Sequence, residues 1–199
     1  MPASMNVNLD GVSVFDSRPV GREDLRQILT AVSTVPSASN AQPWEIVVTE
    51  SAAGKRAILR TFLDAQYRTL SAALPEDAAL PEDADHWFLD APLVLTMAID
   101  TVRAKAKAGP EPARRYGVFD IGAAGYRLLG AAHERGIKAT VVREFDTEAL
   151  SKALSLPPHI QPVVVYAMGY SEAQGLPRPA LALRDYTHME QWGRRMDEE

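Results

Sequence analysis

The sequence predicts one globular domain in which helices and strands share a common core. Three observations predict it. Apolar stripes of helical period occupy 22–33 and the stretch from 120 onward; short apolar runs bounded by turn residues occupy 44–48, 93–99, 137–142 and 162–168. A length of 199 residues with 46% hydrophobic content suffices for one substantial core. The expected organisation is a single domain over 1–199, with a mobile start at about 1–14 and a C-terminal extension at about 171–199.

Taken in order, Arg22 to Ser33 sets Leu25, Ile28, Leu29 and Val32 at i, i+3, i+4 and i+7, a single helical stripe, and Asp24 in its first turn suits the helix dipole. Trp44 to Val48 reads as a strand. Ser51 can cap a second helix, in which Ile58, Phe62 and Ala65 share a face out to about Leu70. The acidic unit Leu-Pro-Glu-Asp-Ala then occurs twice, and Pro75 and Pro81 forbid a continuous helix, so a surface loop is expected. Leu93 to Ile99 reads as a buried strand ending in Asp100, followed by a solvent-facing Lys/Arg/Ala/Gly/Pro segment through Pro112. From Asp120, the residues Ile121, Ala124, Gly125, Leu128, Leu129 and Ala132 form one stripe whose small members would let another backbone approach; Gly136 ends it. Ile137 to Val142 and Pro162 to Met168 read as further strands, separated by a helix from Thr147 to Ser155 that Asp146 can cap. Gly169-Tyr170 closes the last strand. The tail from Ser171, with Pro177, Arg178, Pro179 and Trp192, is expected to wrap over another surface.

Composition narrows the function classes. A net charge of −5 opposes broad attraction to phosphate backbones or anionic membranes, so neither nucleic acid nor a membrane is an expected partner. No stretch reaches the roughly 20 apolar residues that span a bilayer, and Met1 to Asp10 lacks a basic start and an apolar run, which leads to the expectation of a cytoplasmic location. The absence of cysteine removes disulfides, thiol nucleophiles and thiolate metal ligands, so redox chemistry would need a cofactor. His86, His133, His159 and His188 are dispersed without metal-ligand spacing, and no metal is expected. Gly122 and Gly125 lack the Gly-x-Gly-x-x-Gly context of a dinucleotide fold, and Ser37 lacks a Gly-x-Ser-x-Gly elbow.

The most informative stretch is Val-Pro-Ser-Ala-Ser-Asn-Ala-Gln-Pro-Trp at 35–44. Pro36 and Pro43 restrict the backbone at both ends, and Ser37, Ser39, Asn40 and Gln42 offer neutral donors and acceptors suited to the carbonyls and ring nitrogens of a flat heterocycle. Here the sequence resembles the nitroreductase superfamily of flavin-dependent oxidoreductases, through Pro36, Ser37, Asn40, Gln42, Pro43 and Trp44. The resemblance continues in order through Arg18 to Val20, Ala91-Pro92, Asp120 opening a long helix, and Gly169-Tyr170.

The resemblance implies an α+β fold, a three-layer α-β-α sandwich on a central mixed sheet, and an intertwined homodimer holding FMN at its interface with residues from both chains. It implies that Pro36, Ser37, Ala38, Asn40 and Gln42 line the flavin, and that Val142, Arg143 and Glu144 pass its reactive edge, where an acidic residue and a Gly are common in the family. The family's Arg-rich phosphate signature has no counterpart between Leu9 and Asp16; Arg178 is the expected substitute and Arg18 the second candidate. The implied activity is hydride transfer through FMN to a small organic acceptor, with NAD(P)H as the candidate donor. Two alternatives stand beside it. One is a subunit resembling cyclic dipeptide oxidases, desaturating Cα–Cβ bonds with oxygen as acceptor and working with a second small subunit in a higher-order assembly. The other is a flavin-binding protein without turnover. Desaturation requires a base near the flavin, for which Glu144, Tyr116 and Tyr126 are the candidates.

Overall fold

The computed structural model describes residues 14–62, 87–173 and 180–195. Along the chain run α1 (Arg22–Val32), β1 (Trp44–Thr49), α2 (Ala52–Leu59), α3 (Trp87–Asp90), β2 (Leu93–Asp100), α4 (Thr101–Ala108), α5 (Pro110–His133), β3 (Lys138–Val142), α6 (Thr147–Ala153), β4 (Ile160–Gly169) and α7 (Leu183–Tyr186). The duplicated acidic unit, the second helix beyond Phe62, and Arg178 lie outside the described residues.

Four strands form one sheet in the order β1-β2-β4-β3. The sheet was expected to be mixed, yet all three pairings among the described residues are antiparallel. The β2–β4 register shifts between Met97 and Ala98, beside Pro162, which has no N–H to give a central ladder. Alternation along the strands separates two helical layers. Leu93, Leu95, Met97 and Ile99 of β2 join Tyr166 and Met168 of β4 in a core with α1 and α5. Val94, Val165 and Ala167 face the other way, towards Ile58, Phe88 and Leu150 of α2, α3 and α6. Helix, sheet and helix thus stack in three layers, and the class is α+β as expected.

Caps act where the side chains allow them. Ser51 Oγ accepts the Gly54 N–H, Asp100 accepts from Arg103 at 2.8 Å, and Asp146 accepts from Ala149 at 2.8 Å. Residues 101–112, expected to face solvent, do so apart from Ala104, and they are largely helical. Gly109 turns between α4 and α5 at φ 84°, and Pro110 and Pro112 fall in the first turn of α5, where the missing N–H groups had no helical partner to lose. Asp120 therefore lies near the middle of α5 and does not open it. The small residues also serve the chain itself: Ala124 is fully buried, and a Cβ on Gly125 would stand 2.1 Å from the Tyr166 hydroxyl.

Candidate functional site

The loop between α1 and β1 is built against its own conformational preferences. Ser39, Asn40 and Gln42 adopt φ of 51°, 53° and 47°, left-handed values that non-glycine residues rarely take. Each such residue costs of order 1–3 kcal/mol unless its surroundings enforce it. Three contacts do so. Ser37 Oγ accepts the Gln42 N–H at 2.8 Å, Asn40 Oδ1 accepts from Gln42 Nε2 at 3.0 Å, and Asp120 Oδ2 accepts the Ala38 N–H at 3.1 Å across 82 residues of sequence. The second uses one atom of each side-chain amide. Among the described residues, Asn40 Nδ2 and Gln42 Oε1 keep no hydrogen-bond partner, so the loop offers an uncharged donor and an uncharged acceptor.

Asp120 is 5% exposed, and burial pushes its carboxyl pKa up, an effect the Ala38 hydrogen bond partly opposes. Sequence reading passed over this contact. The available signal was a carboxylate on the buried side of α5, among Gly117, Ile121 and Ala124.

The second group of expected residues follows β3. Val142 ends the strand, Phe145 pairs with Phe62, and the Asp146 N–H donates to the Thr61 carbonyl at 2.7 Å. Arg143 and Glu144 are thereby held at both ends with exposed side chains. Arg143 borders a cavity of about 290 Å³ between α5 and β4, whose wall includes Gly122, Tyr126, Leu129 and Tyr166. Burial pushes the Tyr166 hydroxyl up to about 12, with the Arg143 cation pulling the other way. Tyr166 was not singled out from sequence, because an aromatic at an alternating strand position is the ordinary mark of core.

The expected site residues do not all meet. Tyr126 and Arg143 share the cavity, Glu144 lies outside its lining, and Tyr116 borders a separate hollow with Arg114 and Arg115. At about 100° per residue, Gly122 and Leu129 project roughly 160–200° round the α5 axis from Asp120. Since Asp120 holds the loop and those two line the cavity, one chain keeps the two groups on opposite sides of α5. Arg18, the second candidate for a phosphate, lies 3.7 Å from Asp16 and places its guanidinium 3.4 Å from the Tyr170 ring centroid.

No described helix is long and apolar enough to cross a membrane, and no described group of three or more His, Asp or Glu side chains could hold a metal ion. The described residues form a three-layer α+β fold with a strained, neutral hydrogen-bonding loop and an apolar cavity. Residues 12–170 match the nitroreductase family, and the chain belongs to it; it is a nitroreductase-like oxidoreductase. It is 28% identical over 176 residues to a protein named NADH dehydrogenase of Thermus thermophilus, spanning 83% of this chain and 84% of that one. It is 24% identical over 179 residues to an iodotyrosine deiodinase of Haliscomenobacter hydrossis, spanning 87% and 80%. The fold matches a nitroreductase family protein of Streptococcus pneumoniae with a TM-score of 0.72 at 17% identity, over 94% of this chain and 98% of that one.

Proposed function

We propose that this protein is an FMN-dependent oxidoreductase that passes hydride from NAD(P)H to a small organic acceptor, and that its flavin site is assembled from two copies of the chain. The observation that carries this reading is the uncharged donor–acceptor pair left open by Asn40 and Gln42, which complements the alternating carbonyl and N–H edge of a flavin ring. Pro36, Ser37 and Ala38 would line the same side, and Val142, Arg143 and Glu144 the reactive edge. When bound, FMN supplies the capacity to accept and deliver two electrons as hydride. The chain's own residues bind and orient the ring, and the apolar walls of the cavity keep water away from it.

Placement of the loop and of the cavity wall at Gly122 and Leu129 on different sides of α5 supports a site shared between two copies. The face of α5 turned to solvent suits the purpose. Phe119 is 72% exposed, Val118 and Tyr126 are exposed beside it, and a Cβ on Gly122 would meet nothing within 4 Å in this chain. A second helix could approach closely there. Leu181, Tyr186 and Trp192 of the C-terminal segment are exposed too, Trp192 at 87%, which fits an extension that covers a partner. Arg178 remains the proposed phosphate ligand, because Arg18 already shares its charge with Asp16 and the Tyr170 ring.

The desaturating alternative needs a base at the ring. Of its candidates, Tyr126 lines the cavity, Tyr116 borders a separate hollow, and Glu144 stands at the proposed ring edge outside that lining. The test is the absorption spectrum of the purified protein, followed by anaerobic addition of NADH and then NADPH. About one FMN per chain, bleached by either nucleotide, supports the reading. A colourless protein that cannot be reconstituted refutes it, and retained flavin inert to both nucleotides refutes the proposed donor.

A further inference from the structure

The strained loop has a single long-range brace among the described side chains, and it comes from the middle of α5. The Ala38 N–H, at the first residue of the 3-10 turn, donates to Asp120 Oδ2 at 3.1 Å. Immediately after Ala38 come the left-handed residues Ser39 and Asn40, with Gln42 two further on. Fixing Ala38 fixes where that turn begins, and the Ser37 Oγ to Gln42 N–H bond fixes where it ends. Between them, Asn40 and Gln42 have little freedom to reorient their amides.

Asp120 is costly for a residue with only a structural task. The residue is 5% exposed and makes no ion pair among the described residues, and the Ala38 N–H is the hydrogen-bond donor its Oδ2 meets there. A buried charge without a counter-charge is ordinarily replaced by an apolar or neutral side chain unless it holds something that must stay in place. An apolar side chain at this point in α5 would pack, and would release the loop.

We infer that Asp120 is the positioning residue of the cofactor site, holding the Ser37–Gln42 loop in its left-handed form so that Asn40 and Gln42 meet the ring already aligned. This rests on the flavin reading above for the identity of the ligand, but the brace itself does not. Its effect on affinity follows from preorganisation: a loop that must be ordered on binding binds more weakly by the population of the competent form.

The experiment compares Asp120→Ala, Asp120→Asn and Leu128→Ala in the full chain. Leu128 is fully buried on the same helix and takes no part in the loop or the cavity, so its truncation reports general destabilisation. Amide exchange at Ala38 is read in flavin-free protein, and FMN dissociation constants are read by fluorescence quenching. Asp120→Ala should speed Ala38 exchange and raise the FMN dissociation constant, each about tenfold. Asp120→Asn, whose carbonyl oxygen can still accept the bond, should stay within about threefold of the unaltered chain on both. Leu128→Ala should lower the melting temperature and leave the FMN constant within about twofold. Unaltered exchange and affinity in Asp120→Ala would overturn the inference, as would equal weakening of FMN in Leu128→Ala at matched loss of melting temperature. If the unaltered chain binds no FMN, the flavin reading falls, and the Ala38 exchange rates alone decide whether Asp120 braces the loop.

Discussion

At the residue scale, Asp120 links burial to stability and pH. Its folded pKa lies above its ordinary value of 3.8, so between those two values the folded chain binds more protons than the unfolded chain. Stability contributed by this group therefore falls as pH rises through that window, the reverse of an ion-paired carboxylate. Replacing it with Asn removes the titration. Denaturant midpoints of the unaltered protein and of Asp120→Asn, taken from pH 4 to 7, should diverge with rising pH, the Asn form becoming relatively more stable. Parallel midpoints across the range would mean that the carboxylate is better compensated than its surroundings indicate.

At the element scale, α5 organises the molecule: one side seals the core, one holds the loop and one faces solvent. Its inner side depends on Gly125, where an added Cβ would fall 2.1 Å from the Tyr166 hydroxyl. Gly125→Ala should thus destabilise, because overpacking costs about 1–3 kcal/mol whereas a helix gains only about 0.5–1 kcal/mol from Ala in place of Gly. The check is the urea midpoint. A midpoint equal to or above that of the unaltered protein would mean that Tyr166 can swing aside. Element boundaries were read well where a capping side chain announced them, as at Ser51 and Asp146. Residues 101–112 face solvent as expected, with Ala104 alone among them buried, and their helical form has a physical cause. Pro110 and Pro112 sit at the helix start, where they break nothing, and Gly109 makes the turn just before them.

At the scale of the whole molecule, the layered α+β class was legible because the periods of helix and strand alternate so clearly along the chain. The loop at 36–43 was legible from its composition. Its brace was not, since a contact spanning 82 residues leaves no local pattern. Arg143 and Asn40 look like members of one pocket until α5 is set between them. The phosphate remains a question for the entire assembly. If Arg178 holds it, Arg178→Ala should weaken FMN about ten- to hundredfold, the loss of a charged hydrogen bond worth about 1.5–3 kcal/mol, while riboflavin, which lacks the phosphate, should be little affected. Equal weakening of both ligands would assign the C-terminal segment to the fold or the interface.

The central claim is that each flavin site takes its loop from one chain and its 142–144 segment from another. Subunit complementation tests it most directly. One chain carries Asn40→Ala with Gln42→Ala, and the other carries Glu144→Pro, which removes a backbone N–H from the reactive edge. Each variant alone should bind FMN weakly. A heterodimer purified through two different tags would then contain one doubly damaged site and one intact site, and should bind about half an FMN per chain at the affinity of the unaltered protein. Weak binding at every site of that heterodimer would contradict the account and return both groups to a single chain.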